Sequence, residues 1–62
     1  MLFNKEQIQI AKLVQNGFTN IEIGEELGYS ADCIKKRLSK LYKKIGVKKR
    51  IEFVKWLANN PV

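Results

Sequence analysis

Apolar residues recur in four clusters at helical spacing, and polar residues able to cap a helix stand between them. In the first cluster Ile8, Ala11, Leu13 and Val14 follow Asn4, and Gln7 lies three residues on, which is a capping box. Phe3 is placed to staple the start of that helix. The second cluster opens on Thr19 with Glu22 three residues later, again a capping box, and runs from about Asn20 to Leu27 with Ile23 and Leu27 inward. The third opens at Ser30, carries Asp32 where a helix dipole favours an acid, and places Ile34, Leu38, Leu41 and Ile45 on one stripe. The fourth runs from about Lys48 to Asn59 and stops before Pro61, with Phe53, Val54 and Leu57 inward. Gly17, Gly28 and Gly46 each follow a cluster, where a left-handed residue ends a helix.

Gly24 breaks this order, since a glycine inside a helix costs about 1 kcal/mol relative to alanine. A packing reason is therefore expected: close approach of the second and third helices across Gly28-Tyr29, as a helix-turn-helix requires. No segment alternates as a strand does, and no internal repeat is present. The expected fold is all-α, four helices in one domain over residues 1–62.

Composition removes whole classes of function. One cysteine and no histidine exclude a disulfide framework and leave no zinc ligand set. Cys33 reads as a small helix residue, because no histidine is present to activate it as a nucleophile. No apolar run approaches the ~18 residues a membrane helix needs, and no secretory signal is visible. The expected setting is a reducing cytoplasm. Without a histidine, a carboxylate pair converging on a nucleophile or a glycine-rich phosphate loop, no catalytic site, cofactor or small-molecule ligand is expected.

Charge is sharply divided. Residues 1–33 hold two basic and five acidic side chains, while residues 34–62 hold ten and one, within a net charge of +6. On a helical wheel, Asp32, Lys36, Ser39, Lys40 and Lys43 lie opposite the apolar stripe of the third helix. Lys35 flanks them on one side, and Cys33, Arg37 and Lys44 on the other. A DNA major groove accepts a helix of this width, with base edges at its centre and phosphates at its rims. Lys35, Lys36 and Ser39 would then face bases, while Arg37, Lys40 and Lys44 would lean on phosphates. Lys48, Lys49 and Arg50 stand at the start of the fourth helix, where cations oppose the dipole and a bound phosphate would reverse the effect.

These residues match a known pattern. Gly17-Phe-Thr-Asn-Ile-Glu-Ile-Gly-Glu-Glu-Leu27, Ser30-Ala-Asp-Cys-Ile-Lys-Lys-Arg37 and Lys44-Ile-Gly-Val-Lys-Lys-Arg50 resemble, with unbroken spacing, the LuxR/GerE-type helix-turn-helix domain, which also serves as the output domain of NarL/FixJ response regulators. The likeness covers about residues 3–58. It implies that the third helix is the recognition helix, that the fourth dimerises, and that Lys35, Lys36 and Ser39 contact bases. It also puts Thr19, Asn20, Ser30, Cys33, Arg37 and Arg50 on the DNA backbone. Departures are Cys33 for a usual Thr, Arg37 for His, Gly24 for Ala, and Phe53 and Leu57 where Ala is frequent. The expected architecture is the stand-alone, spore-regulator kind, with no sensory or receiver domain ahead of the motif.

The fourth helix carries more apolar residues than one buried face can hold, leaving Ile51, Trp56 or Ala58 partly exposed as an interface with Lys55 beside them. Trp56 either serves there or covers the edge of the core. The leading expectation is a bacterial transcription regulator, cytoplasmic and nucleoid-associated. It would bind double-stranded promoter DNA as a homodimer and thereby recruit or block RNA polymerase. The alternative is an interaction module that pairs through the fourth helix with a larger regulator, as antagonist or co-regulator.

Overall fold

Helices in this chain start where a side chain can serve backbone N–H groups that lack a helical partner. The structure, a computed structural model describing residues 2–62, contains α1 (Lys5–Gln15), α2 (Asn20–Leu27), α3 (Ala31–Ile45) and α4 (Arg50–Asn59). Among the described residues there is no strand. Asn4 and Gln7 exchange hydrogen bonds at the head of α1, with Gln7 N–H donating to Asn4 Oδ1 at 2.8 Å and Asn4 N–H to Gln7 Oε1 at 2.9 Å. Thr19 and Glu22 do the same at α2, at 3.2 and 2.8 Å. Ser30 Oγ accepts the Cys33 N–H at 3.1 Å and opens α3.

The start of α4 differs from the expected Lys48. Lys49 is extended (φ −129°, ψ 154°), and helical geometry begins only at Arg50. A lysine side chain has no acceptor, so the cap runs one way. The Glu52 carboxylate takes the N–H of Lys48 at 3.0 Å and that of Lys49 at 2.9 Å. Glu52 thereby sets a carboxylate at the head of α4, beside Lys48 and Lys49.

Helix ends follow the glycines. Gly28 sits at φ +79°, and the next N–H, that of Tyr29, reaches back to the Gly24 carbonyl at 2.8 Å. The same closure recurs at Gly17 and Gly46, where Phe18 bonds to Leu13 and Val47 to Tyr42, each at 3.0 Å. Gly24 answers to a different constraint, since a Cβ there would overlap the Tyr29 carbonyl oxygen. Backbone approach at this point lets α2 and α3 pack, the most extensive helix pair in the fold.

All four helices feed one core of Ile10, Ala11, Val14, Ile23, Ile34, Leu38, Leu41, Phe53 and Leu57, together with Phe3 ahead of α1. Ile10, only 1% exposed, takes the place expected of Ile8. The inward face of α1 runs along Ile10, Ala11 and Val14, whereas Ile8 and Leu13 are half-buried at its margins. Leu27 and Ile45 are likewise half-buried. Phe53 ties the ends of the chain together, its ring 6.5 Å from Phe3 and 5.4 Å from Tyr42. Trp56 lies half-buried with its ring 5.7 Å from Phe3, so it covers the core's edge.

Candidate nucleic-acid interface

The outer face of α3 is set by its apolar stripe: with Ile34, Leu38 and Leu41 buried, Asp32, Lys35, Lys36, Ser39, Lys40, Lys43 and Lys44 are all exposed. Grooves run along both sides of this ridge. One is walled by Asn20 of α2, Lys35, Ser39 and Tyr42 of α3, and Lys48 and Arg50 at the head of α4. The other lies between α3 and the first turn of α1, lined by Asn4, Glu6, Gln7, Cys33, Lys36, Arg37 and Lys40. The grooves bring together Asn20, Lys35, Ser39, Lys48 and Arg50 on one slope and Cys33, Lys36, Arg37 and Lys40 on the other, while Thr19, Ser30, Lys44 and Lys49 line neither.

Several of these side chains are already committed. Ser39 Oγ donates to its own helix, to the Lys35 carbonyl at 3.1 Å, which leaves its lone pairs outward as acceptors. Arg50 donates to Asn20 Oδ1 at 2.9 Å and to the Phe18 carbonyl, so it braces α4 against the head of α2. Asn20 keeps its amide hydrogens for another partner. Lys44 reaches back to Gln7 Oε1 at 3.3 Å. Thr19 and Ser30 spend an acceptor on capping and keep a hydroxyl hydrogen to donate. Lys49 is exposed in the loop before α4.

Arg37 is the most constrained cation of the face. Its guanidinium pairs with the Glu6 carboxylate, its Nε donates to Cys33 Sγ at 3.4 Å, and its centre stands 4.2 Å over the Tyr29 ring. The Cys33 contact first, and then the Glu6 charge, hold Arg37 still further above its ordinary range. Tyr29 donates its hydroxyl to the other Glu6 oxygen, which raises its own pKa. Burial similarly raises Tyr42, against the opposing pull of Arg50. Glu6 was not singled out by the sequence, where it reads as an ordinary acid in a first helical turn. No local signal ties it to a residue 31 positions on.

On α4, Ile51, Lys55 and Ala58 are all exposed and recur at helical spacing on one stripe, Ile51 to 59%. Trp56 points away from that stripe, toward Phe3. Among the described residues no cluster of three or more His, Cys, Asp or Glu side chains could hold a metal ion, and no helix is long and apolar enough to cross a membrane.

Helix α2, the left-handed turn at Gly28 and a cationic α3 make up a helix-turn-helix unit. The family GerE, described as bacterial regulatory proteins of the luxR family, matches residues 1–57, and the chain belongs to it. This is a family of DNA-binding helix-turn-helix regulators and not of enzymes. No match was found among curated proteins or solved structures.

Proposed function

We propose that this chain is a sequence-specific transcription regulator that binds promoter DNA as a twofold dimer, with α3 of each protomer in a major groove. The observation that carries this reading is the lysine-rich side of α3, bordered on both flanks by polar and charged side chains of α1, α2 and the α3–α4 loop. In this placement Lys35, Lys36 and Ser39 meet base edges, with Ser39 as an acceptor for an exocyclic amine. Lys40, Lys44, Lys48 and Lys49 meet phosphates, joined by the donors of Thr19, Asn20, Ser30, Cys33, Arg37 and Arg50. Phosphate contacts fix register and supply affinity, whereas the three groove residues supply discrimination.

Dimerisation falls to Ile51, Lys55 and Ala58. Ile51 is the exposed large hydrophobic residue of α4, and the stripe lies opposite the buried Phe53 and Leu57. Half-sites would then lie about 10 bp apart centre to centre. Promoter occupancy by such a dimer recruits or blocks RNA polymerase and keeps the protein at the nucleoid.

The test is selection of bound duplexes from a random pool by the purified chain, then competition against random DNA. A selected site bound at least about 10³-fold more tightly than random sequence supports the reading. Equal binding to both removes sequence-specific regulation. Sedimentation that finds a monomer both alone and on the selected duplex removes the dimer, and a demand for a longer relative before any shift favours the interaction module.

A further inference from the structure

Among the described residues the one salt bridge, Glu6–Arg37, lies inside the proposed DNA face. We propose that the groove between the first turn of α1 and α3 is a seat for a DNA phosphate, and that Glu6 is the chain's own occupant of it. This inference rests on α3 binding DNA. It adds a binding element from α1 and an internal competitor for it.

A phosphate is held by convergent donors, best by a guanidinium supported by further N–H groups. The groove provides Arg37 with Lys36 and Lys40 on one wall and the Asn4 and Gln7 amides on the other. Glu6 places two anionic oxygens there, one on Arg37 and one on the Tyr29 hydroxyl, which are donors a phosphate would also use. Arg37 does not depend on Glu6 for its position, because the Cys33 sulfur at 3.4 Å and the Tyr29 ring at 4.2 Å hold the guanidinium from other sides. The pair is accessible, with side-chain exposures of 38% for Arg37 and 34% for Glu6. An ion pair so open to water is screened and weak, so a phosphate at duplex density displaces the carboxylate. Glu6 swings to solvent, Tyr29 and Arg37 take the phosphate, and the liberated carboxylate recruits a cation that offsets one counterion released from DNA.

Glu6→Gln removes the charge yet keeps an oxygen for Tyr29. Fluorescence anisotropy on the selected duplex and on random DNA, across 50–200 mM salt, compares it with the wild-type chain. The variant is expected to bind both DNAs about threefold more tightly per protomer, the scale of one exposed ion pair. Its log K against log[salt] is expected to be steeper by about 0.9 per protomer. The ratio of specific to random binding stays constant, because phosphates carry no sequence information. Adding Arg37→Gln abolishes the gain. Glu6→Ala, which removes the same charge and leaves Tyr29 free for the phosphate, gives the same gain and covers the case of a Glu6→Gln chain that does not fold. Wild-type affinity and slope in Glu6→Gln, or a gain that survives Arg37→Gln, overturns the proposal while leaving DNA binding intact. A wild-type chain and variants that all ignore DNA overturn the regulator reading along with it.

Discussion

Phe53→Ala tests whether α4 holds the DNA-binding face in place. Phe53 is fully buried and touches both the staple residue Phe3 and Tyr42 on α3. Truncating such a ring costs about 3–5 kcal/mol, and this range includes the cavity left behind. Loss of two edge-to-face aromatic pairs puts this site toward the upper end. A domain of 62 residues holds in total roughly 3–9 kcal/mol, at about 0.05–0.15 kcal/mol per residue. One substitution therefore removes most of the folding free energy. Urea melts followed by far-UV circular dichroism measure it. With m near 1 kcal/mol/M for so small a chain, the midpoint falls by about 3 M or more, and the folded baseline vanishes. Phe53→Leu keeps most of the volume and is expected to lose less than about 1.5 kcal/mol. Ile51→Ala, on the exposed side of the same helix, changes the folding free energy by less than about 0.5 kcal/mol when the chain is dilute. A Phe53→Ala chain that melts within 1 M urea of wild type would refute the account of α4 as the clasp of the fold.

Salt gives a second expectation: two protomers neutralising about eight phosphates yield a log–log slope near −7, and a flat dependence excludes the basic side of α3 as the contact surface. Lys36→Ala is expected to cost about 1–3 kcal/mol on the selected site and to relax specificity, whereas equal loss on random DNA reassigns Lys36 to a phosphate. Acid tests the α2 cap. The Thr19 backbone N–H, then its side chain, hold the Glu22 carboxyl below its ordinary 4.5, so this stabilisation is present above that pH and is lost as pH falls through the lower folded-state value. Thermal melts of wild type between about pH 5 and 3 should therefore decline more steeply than those of Glu22→Gln, and parallel curves discount the cap. Gly24→Ala must displace the Tyr29 carbonyl that sets the helix-turn-helix angle, and its melting temperature should drop despite alanine's better helix propensity; a rise shows that the turn yields cheaply.

What could be read from the chain was whatever acts over three or four residues. Asn4 with Gln7, Thr19 with Glu22, and Ser30 with Cys33 cap as their spacing predicts, and Ile34, Leu38 and Leu41 of the α3 stripe are buried where the wheel puts them, with Ile45 half-buried at its end. Misreadings came where residues distant in sequence decide. Lys48 is a local exception, since Glu52, only four residues on, claims the N–H groups of Lys48 and Lys49 ahead of the helix. Ile8 and Ile10 lie on nearly opposite sides of α1, either of which can join Ala11 and Val14, and only the position of the other helices turns the Ile10 side inward. Trp56 has nothing within four residues that fixes its side, and it is Phe3, from the other end of the chain, that lies against its ring. Of the site, the cationic ridge was legible in α3 itself. Its second wall was not, because Glu6, Asn4 and Gln7 meet α3 only after folding.

The division of charge is itself a structural argument for an anionic partner. A free-standing domain lowers its self-repulsion by pairing acids with bases across its surface. This chain holds twelve basic residues, yet among the described residues it forms a single salt bridge. Three of its five other acids serve helix starts: Glu22 and Glu52 cap helices, and Asp32 lies in the first turn of α3, while Glu25 and Glu26 are exposed on α2. Lys43 and Lys44 lie in the last turn of α3, beside the negative end of the dipole, whereas Lys49 and Arg50 stand against the positive end of α4. Folding is left to the aromatic clasp and the caps, neither of which needs the lysines. The lysines are thereby available to meet a polyanion whose spacing of charge, and not any acid of this chain, completes the surface.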